Sequence, residues 1–240
     1  VTAVFTITVT DDEGATATQD VTITLTGAND APIIAIVDVA GAITEGATLT
    51  DSGSITFTDV DVSDRPLAIE ATSSVTALAQ GGGPLVLSAP QQAAIEAAFA
   101  ISADAGNTNN GAINWAYTIT EAALDFLGQG EVVTAVFTLT VTDDEGASDT
   151  QDVTITLTGA NDAPSLTLSL TEQAHTATGA VVVDPALTIS DVDSLDFATG
   201  ILTVELSSGG VADDRLTVRD EGTATGQVSV VGATVRFNFG

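Results

Sequence analysis

The chain repeats itself, and the repeat is long. Residues 1–32 read VTAVFTITVTDDEGATATQDVTITLTGANDAP, and residues 133–164 read VTAVFTLTVTDDEGASDTQDVTITLTGANDAP. After a shift of 132 residues, 29 of these 32 positions are identical. The same shift sets Phe57-Thr58-Asp59-Val60-Asp61 against Ile189-Ser190-Asp191-Val192-Asp193. Self-similarity at one interval means copies of one folding unit, and about 130 residues is a common domain size. Only 33–164 spans a whole copy. Residues 1–32 read as the closing hairpin of a truncated copy, and residues 165–240 as the first part of a further one.

Within the unit the hydrophobic period is two. Val133, Ala135, Phe137, Leu139 and Val141 fall on one face of a strand, and Thr134, Thr138, Thr140 and Thr142 on the other. After the turn Asp143-Asp144-Glu145-Gly146, the residues Val153, Ile155 and Leu157 alternate with Thr154, Thr156 and Thr158. That pattern predicts a hairpin with one buried and one solvated face. Residues 53–58 (GSITFT) and 114–119 (NWAYTI) continue the alternation, and the clusters at 81–84 (GGGP) and 109–111 (NNG) break it. Around 90–99 the spacing changes. Ser88 and Pro90 precede Ile95 and Phe99, which predicts one short helix inserted between strands. Short alternating strands with regular turns predict an all-β fold, a tandem of β-sandwiches. Trp115 and Tyr117 fall on the core face of their strand.

Composition narrows the chemistry. There are 33 Asp and Glu against four Arg and no Lys, a formal net charge of −29. Binding nucleic acid needs cations to neutralise phosphates, and an anionic membrane surface repels such a chain. Cys and Met are both absent, and His175 is the single histidine. Thiolate metal sites and disulfides are therefore excluded, and the lone His175 speaks against a Ser–His–Asp triad or a poly-His metal site. Hydrophobic residues nevertheless make up 44% of the chain, enough to build a core. No apolar run approaches the roughly 18 residues of a membrane span. The amino terminus begins inside a strand pattern, so the expectation is a piece of a longer protein.

Several motifs, T-V-T-D-D-E-G, V-T-I-T-L-T-G-A-N-D-A-P and S-G-S-I-T-F-T-D-V-D, resemble those of VCBS-type repeats, the immunoglobulin- or cadherin-like modules arrayed in large bacterial surface adhesins and biofilm proteins. The resemblance covers 1–164. Over 165–240 it shifts to a related cadherin-like repeat, through LTISDVD (187–193) and ADDRL (212–216). The glycine-rich nonapeptide of the RTX β-roll is absent from this sequence. The resemblance implies a calcium-stiffened, secreted stalk segment at a bacterial cell surface, with neighbouring repeats as its partners.

Calcium takes six to eight oxygen ligands, and this sequence offers paired carboxylates without basic residues to balance them. Asp59 and Asp61 continue the inward parity of Ile55 and Phe57, so both side chains can converge on one ion. In a seven-stranded sandwich the loop after the second strand shares an end with the loop between the last two. The incoming linker enters at that end too. Asp59, Asp61, Asp143, Asp144, Glu145, Asn29 and Asp30 are thereby expected at one pole. The cadherin resemblance implies a second set at the opposite pole: Glu45 with Glu121 or Asp125, facing Asn161, Asp162, Asp191 and Asp193. The cadherin Asp-Arg-Glu triplet is missing, which leaves Glu121 and Asp125 as alternatives.

Plainer readings compete with these. Asp-Asp-Glu-Gly is also an ordinary turn, His175 reads as an exposed loop residue, and Arg215 and Arg219 read as partners of Asp213, Asp214 and Asp220. A glycan- or protein-binding adhesive module is the alternative function, and few aromatics (one Trp, one Tyr, eight Phe) speak against a sugar platform. Carboxylate pairs can hydrolyse glycosides, but these recur in junction motifs rather than in one cleft, so the reading is not an enzyme. The two partial copies imply either a chain that continues at both ends or head-to-tail self-association into an extracellular filament.

Overall fold

The computed structural model describes residues 1–35, 38–169, 181–184, 186–194, 197, 201–205, 217, 228–231 and 234–237. Residues 1–195 make one compact unit and 196–240 a second. The first begins with β1 (Thr2–Thr10) and β2 (Thr16–Thr24), an antiparallel hairpin with Thr2 opposite Thr24 and Thr10 opposite Thr16.

The body between 33 and 158 contains β3 (Ile33–Ala35), β4 (Ala40–Thr44), β5 (Thr50–Thr58), β6 (Leu67–Leu78), helix α1 (Ala89–Ala97), β7 (Phe99–Ala103), β8 (Asn110–Thr118), β9 (Val132–Thr142) and β10 (Ser148–Thr158). Two four-stranded sheets result, in the orders β4-β10-β9-β6 and β3-β5-β8-β7. Every pairing is antiparallel except β4 with β10, which run parallel from Ala40 opposite Thr154 to Thr44 opposite Thr158. This is an immunoglobulin-like β-sandwich.

The inward alternation supplies the core. Val133, Ala135, Leu139, Val141, Val153, Ile155 and Leu157 are fully buried on one sheet, facing Ile55, Phe57, Ile113, Trp115 and Tyr117 on the other. Phe99 stacks on Phe137 with ring centroids 4.1 Å apart. The two polar ring atoms of the core are satisfied: Trp115 Nε1 donates to the Asp38 carbonyl at 2.8 Å, and Tyr117 Oη to the Ile95 carbonyl at 3.0 Å. Gly53 lets the Trp115 ring lie against the β5 backbone, since a Cβ there would sit 2.6 Å from Trp115 Cε2. Helix α1 starts at Ser88, whose amide and hydroxyl both donate to Gln91 Oε1 at 2.7 Å, and it buries Ile95.

One expectation is revised. The sandwich has eight strands, not seven, because the first segment serves both sheets, β3 bonding to β5 and β4 to β10. The hairpin β1–β2 keeps the register of β9–β10 but not its burial. Phe5 is 55% exposed while Phe137, the residue at the same place in the repeat, is 1% exposed. Beyond the body, β11 (Ser165–Thr167) pairs antiparallel with β12 (Thr188–Ser190). In the second unit β13 (Val228–Val231) pairs antiparallel with β14 (Thr234–Phe237). Asp213, Asp214, Arg215, Arg219, Asp220 and His175 lie outside the described residues. No described helix is long and apolar enough to cross a membrane.

Candidate metal centres

Where β5 ends, the strand parity carries Asp59 inward, and it is only 4% exposed. The chain then turns on itself, with the Asp64 amide donating to the Asp61 carbonyl at 3.0 Å. Asp64 is also 4% exposed. The result is one group of close carboxylates, Asp59, Asp61 and Asp64, and a second, Asp64, Asp143 and Glu145. In each group the ligand oxygens lie within 4.8 Å of one another. Oδ2 of Asp59 and Oδ2 of Asp64 are buried and receive no hydrogen bond. Arg65, the adjacent cation, sends its guanidinium to the carbonyls of Val62 and Asp64 instead.

The segment before β3 and the β9–β10 turn close this pole. Asn29 Nδ2 donates to Asp143 Oδ2 at 2.9 Å, and the Asp30 amide to Asp61 Oδ2 at 2.8 Å. Asp143 Oδ1 takes the amides of Glu145 and Ala147 at 3.0 and 2.8 Å, so Asp143 shapes the turn as well as facing the cluster. Gly146, at φ +93°, completes that turn. Asp144 is exposed and joins neither group.

At the other end of the sandwich Glu45, Asp125 and Asp162 form a third group, with Glu45 4% exposed. Glu45 Oε2 accepts the Ala160 amide at 2.8 Å, while Glu45 Oε1 and Asp162 Oδ2 are buried without a donor. Between the two alternatives in this loop, Asp125 joins the group, and Glu121 instead accepts the Gly46 amide at 2.6 Å. Asn161 is exposed and bonds the Asp162 carbonyl. The Asp162 amide donates to Asp193 Oδ2 at 3.1 Å, and the Asp193 amide to Asp191 Oδ1 at 3.3 Å. These repeat, 132 residues on, the contacts of Asp30 with Asp61 and of Asp61 with Asp59, whose amide bond is 2.9 Å.

No protein-family pattern and no curated protein matches this sequence. Among solved structures, the chain resembles the sialic-acid-binding region of a Streptococcus sanguinis SK1 adhesin (12% identity, 65% of this chain and 37% of that one, TM-score 0.34). It also resembles the major subunit of Escherichia coli aggregative adherence fimbriae type I (10%, 56% and 99%, 0.31) and domains 4–9 of the surface layer protein SbsC (11%, 98% and 30%, 0.31). The chain thus spans little more than a third of the adhesin region. Likenesses at this level assign neither ligand nor role to this chain.

Asp64 is the residue that strand parity could not find, because it lies in a loop where alternation has ended. A signal for it does exist. The 132-residue shift places Asp196 opposite Asp64, so Asp-Val-Asp-x-x-Asp occurs at 59–64 and again at 191–196.

Crowding leaves a mark on the titration of these groups. Burial first, then neighbouring carboxylates, raises the pKa values of Asp64, Glu145, Glu45 and Asp162. Hydrogen bonding between their carboxyls raises Asp191 and lowers Asp193. The Asn29 amide, followed by the turn amides, lowers Asp143. For the raised groups the folded protein holds more protons than the unfolded chain, between the ordinary carboxylate range and the raised values. Metal-free stability therefore falls as pH rises through that window and is regained on acidification. The contributions of Asp143 and Asp193 have the opposite sense, and are lost as pH falls below the ordinary range. Thermal melts in chelator should place maximal stability in mild acid, above the ordinary aspartate range, rather than at neutral pH.

Proposed function

We propose that the chain is a segment of a calcium-stiffened stalk from a large secreted bacterial surface adhesin, built from VCBS-type repeats, with residues 33–164 as one whole repeat. In this reading residues 1–32 close the preceding repeat and 165–240 open the next. The observation that carries it is the set of buried carboxylate oxygens without donors, Asp59 Oδ2 and Asp64 Oδ2 at one pole and Glu45 Oε1 and Asp162 Oδ2 at the other. A buried, unpaired carboxylate oxygen is costly, and a hard divalent cation ligated by oxygen removes that cost. Glu45, Asp125 and Asp162 would hold one ion, with Asp193 beside them. Asp59, Asp61, Asp64, Asp143 and Glu145 would form the other site.

The linker contacts give the stiffening a physical basis. The amides of Asp30 and Asp162 each bond a carboxylate of the Asp-x-Asp motif that follows. Fixing those carboxylates on an ion also fixes the linker that donates to them. Hydrogen exchange at Asp30 and Asp162 should slow when calcium replaces chelator, with sodium chloride at matched ionic strength as control. Scattering from two whole repeats in tandem should give a longer maximum dimension in calcium. Unchanged exchange and unchanged dimension would remove the stiffening role.

A further inference from the structure

We infer that the pole formed by Asp59, Asp61, Asp64, Asp143 and Glu145 holds two divalent cations, with the Asp64 carboxylate shared between them. This rests on the calcium reading and goes beyond it in the number of ions and in the residue that joins them. Oxygens bound to one calcium at about 2.3–2.6 Å lie within roughly 5 Å of each other. The five carboxylates fall into two triads, each mutually within 4.8 Å, and Asp64 is the one residue common to both. Two centres, one on each triad, use the whole set.

Burial and charge agree with two ions. Asp59 and Asp64 are each 4% exposed, and each keeps one buried oxygen with no donor. Five carboxylates around one divalent ion would leave three uncompensated negative charges, and around two ions only one. A carboxylate has two ligating oxygens, so Asp64 can serve both centres. The recurrence of Asp-Val-Asp-x-x-Asp at 191–196 gives the next unit an aspartate at the same offset.

The test counts calcium bound per chain by equilibrium dialysis at millimolar calcium, on the full 240-residue chain. Asp59→Asn with Asp61→Asn should lose one ion, Glu145→Gln should lose one, and the three substitutions together should lose two. Asp64→Asn alone should lose two, with near-ultraviolet circular dichroism of Trp115 in chelator reporting that the core is intact. If Asp64→Asn does not fold, the comparison of the single-centre variants with their combination decides the matter. A combined variant that loses no more than one ion overturns the shared-ligand inference and leaves the calcium reading standing. A parent chain that takes up no calcium overturns both. Glu45→Gln, at the opposite pole, should leave these differences unchanged; if it abolishes them, the assignment to two centres at this pole fails.

Discussion

Phe137→Ala will destabilise the sandwich by about 3–5 kcal/mol, the usual cost of emptying a buried phenylalanine site. Phe5→Ala, at the same position of a nearly identical hairpin, will cost less than about 1 kcal/mol. The residues have the same neighbours in sequence and differ in what faces them. Phe137 is 1% exposed, lies 4.1 Å from Phe99 and is tilted against Tyr117 at 6.3 Å, whereas Phe5 is 55% exposed. Urea unfolding followed through the one tryptophan, Trp115, buried in the same core, measures both variants. Equal losses would mean that the β1–β2 face is covered in solution.

Calcium will raise the melting temperature well beyond what sodium chloride does at equal ionic strength. Extracellular calcium modules bind with dissociation constants of about 10⁻⁴–10⁻³ M, and a site occupied only in the native state adds about 2.7 kcal/mol at a hundredfold excess of ligand. Against the roughly 5–15 kcal/mol that holds a typical domain, each site weighs heavily. Asp59→Asn with Asp61→Asn should abolish much of the rise due to the first pole. Glu45→Gln, or Asp191→Asn with Asp193→Asn, should do so at the second. His175→Ala should leave the response intact. Double variants that keep the full shift would mean that these carboxylates are no more than a solvated, repelling surface.

What could be read from the sequence depended on where strand parity operates. Alternation placed Phe137, Leu139, Ile155 and Trp115 in the core because a paired strand fixes which way each side chain points. Parity also reached Asp59, one residue past the end of β5. It could say nothing of Asp64, whose inward position comes from the chain folding back onto the Asp61 carbonyl. The choice between Asp125 and Glu121 was equally out of reach, since it depends on the Glu121 carboxylate capturing the Gly46 amide. The split of the first strand follows from how β3 and β4 find different sheets, and no local pattern announces it.

The parallel pairing of β4 with β10 has a mechanical consequence. One strand lies near the start of the sandwich and the other at its end, and they run the same way over five residue pairs. Traction applied through the chain on either side of the sandwich drags β4 and β10 in opposite directions along their common axis. Their hydrogen bonds then share the load in shear, and must give together instead of unzipping one after another.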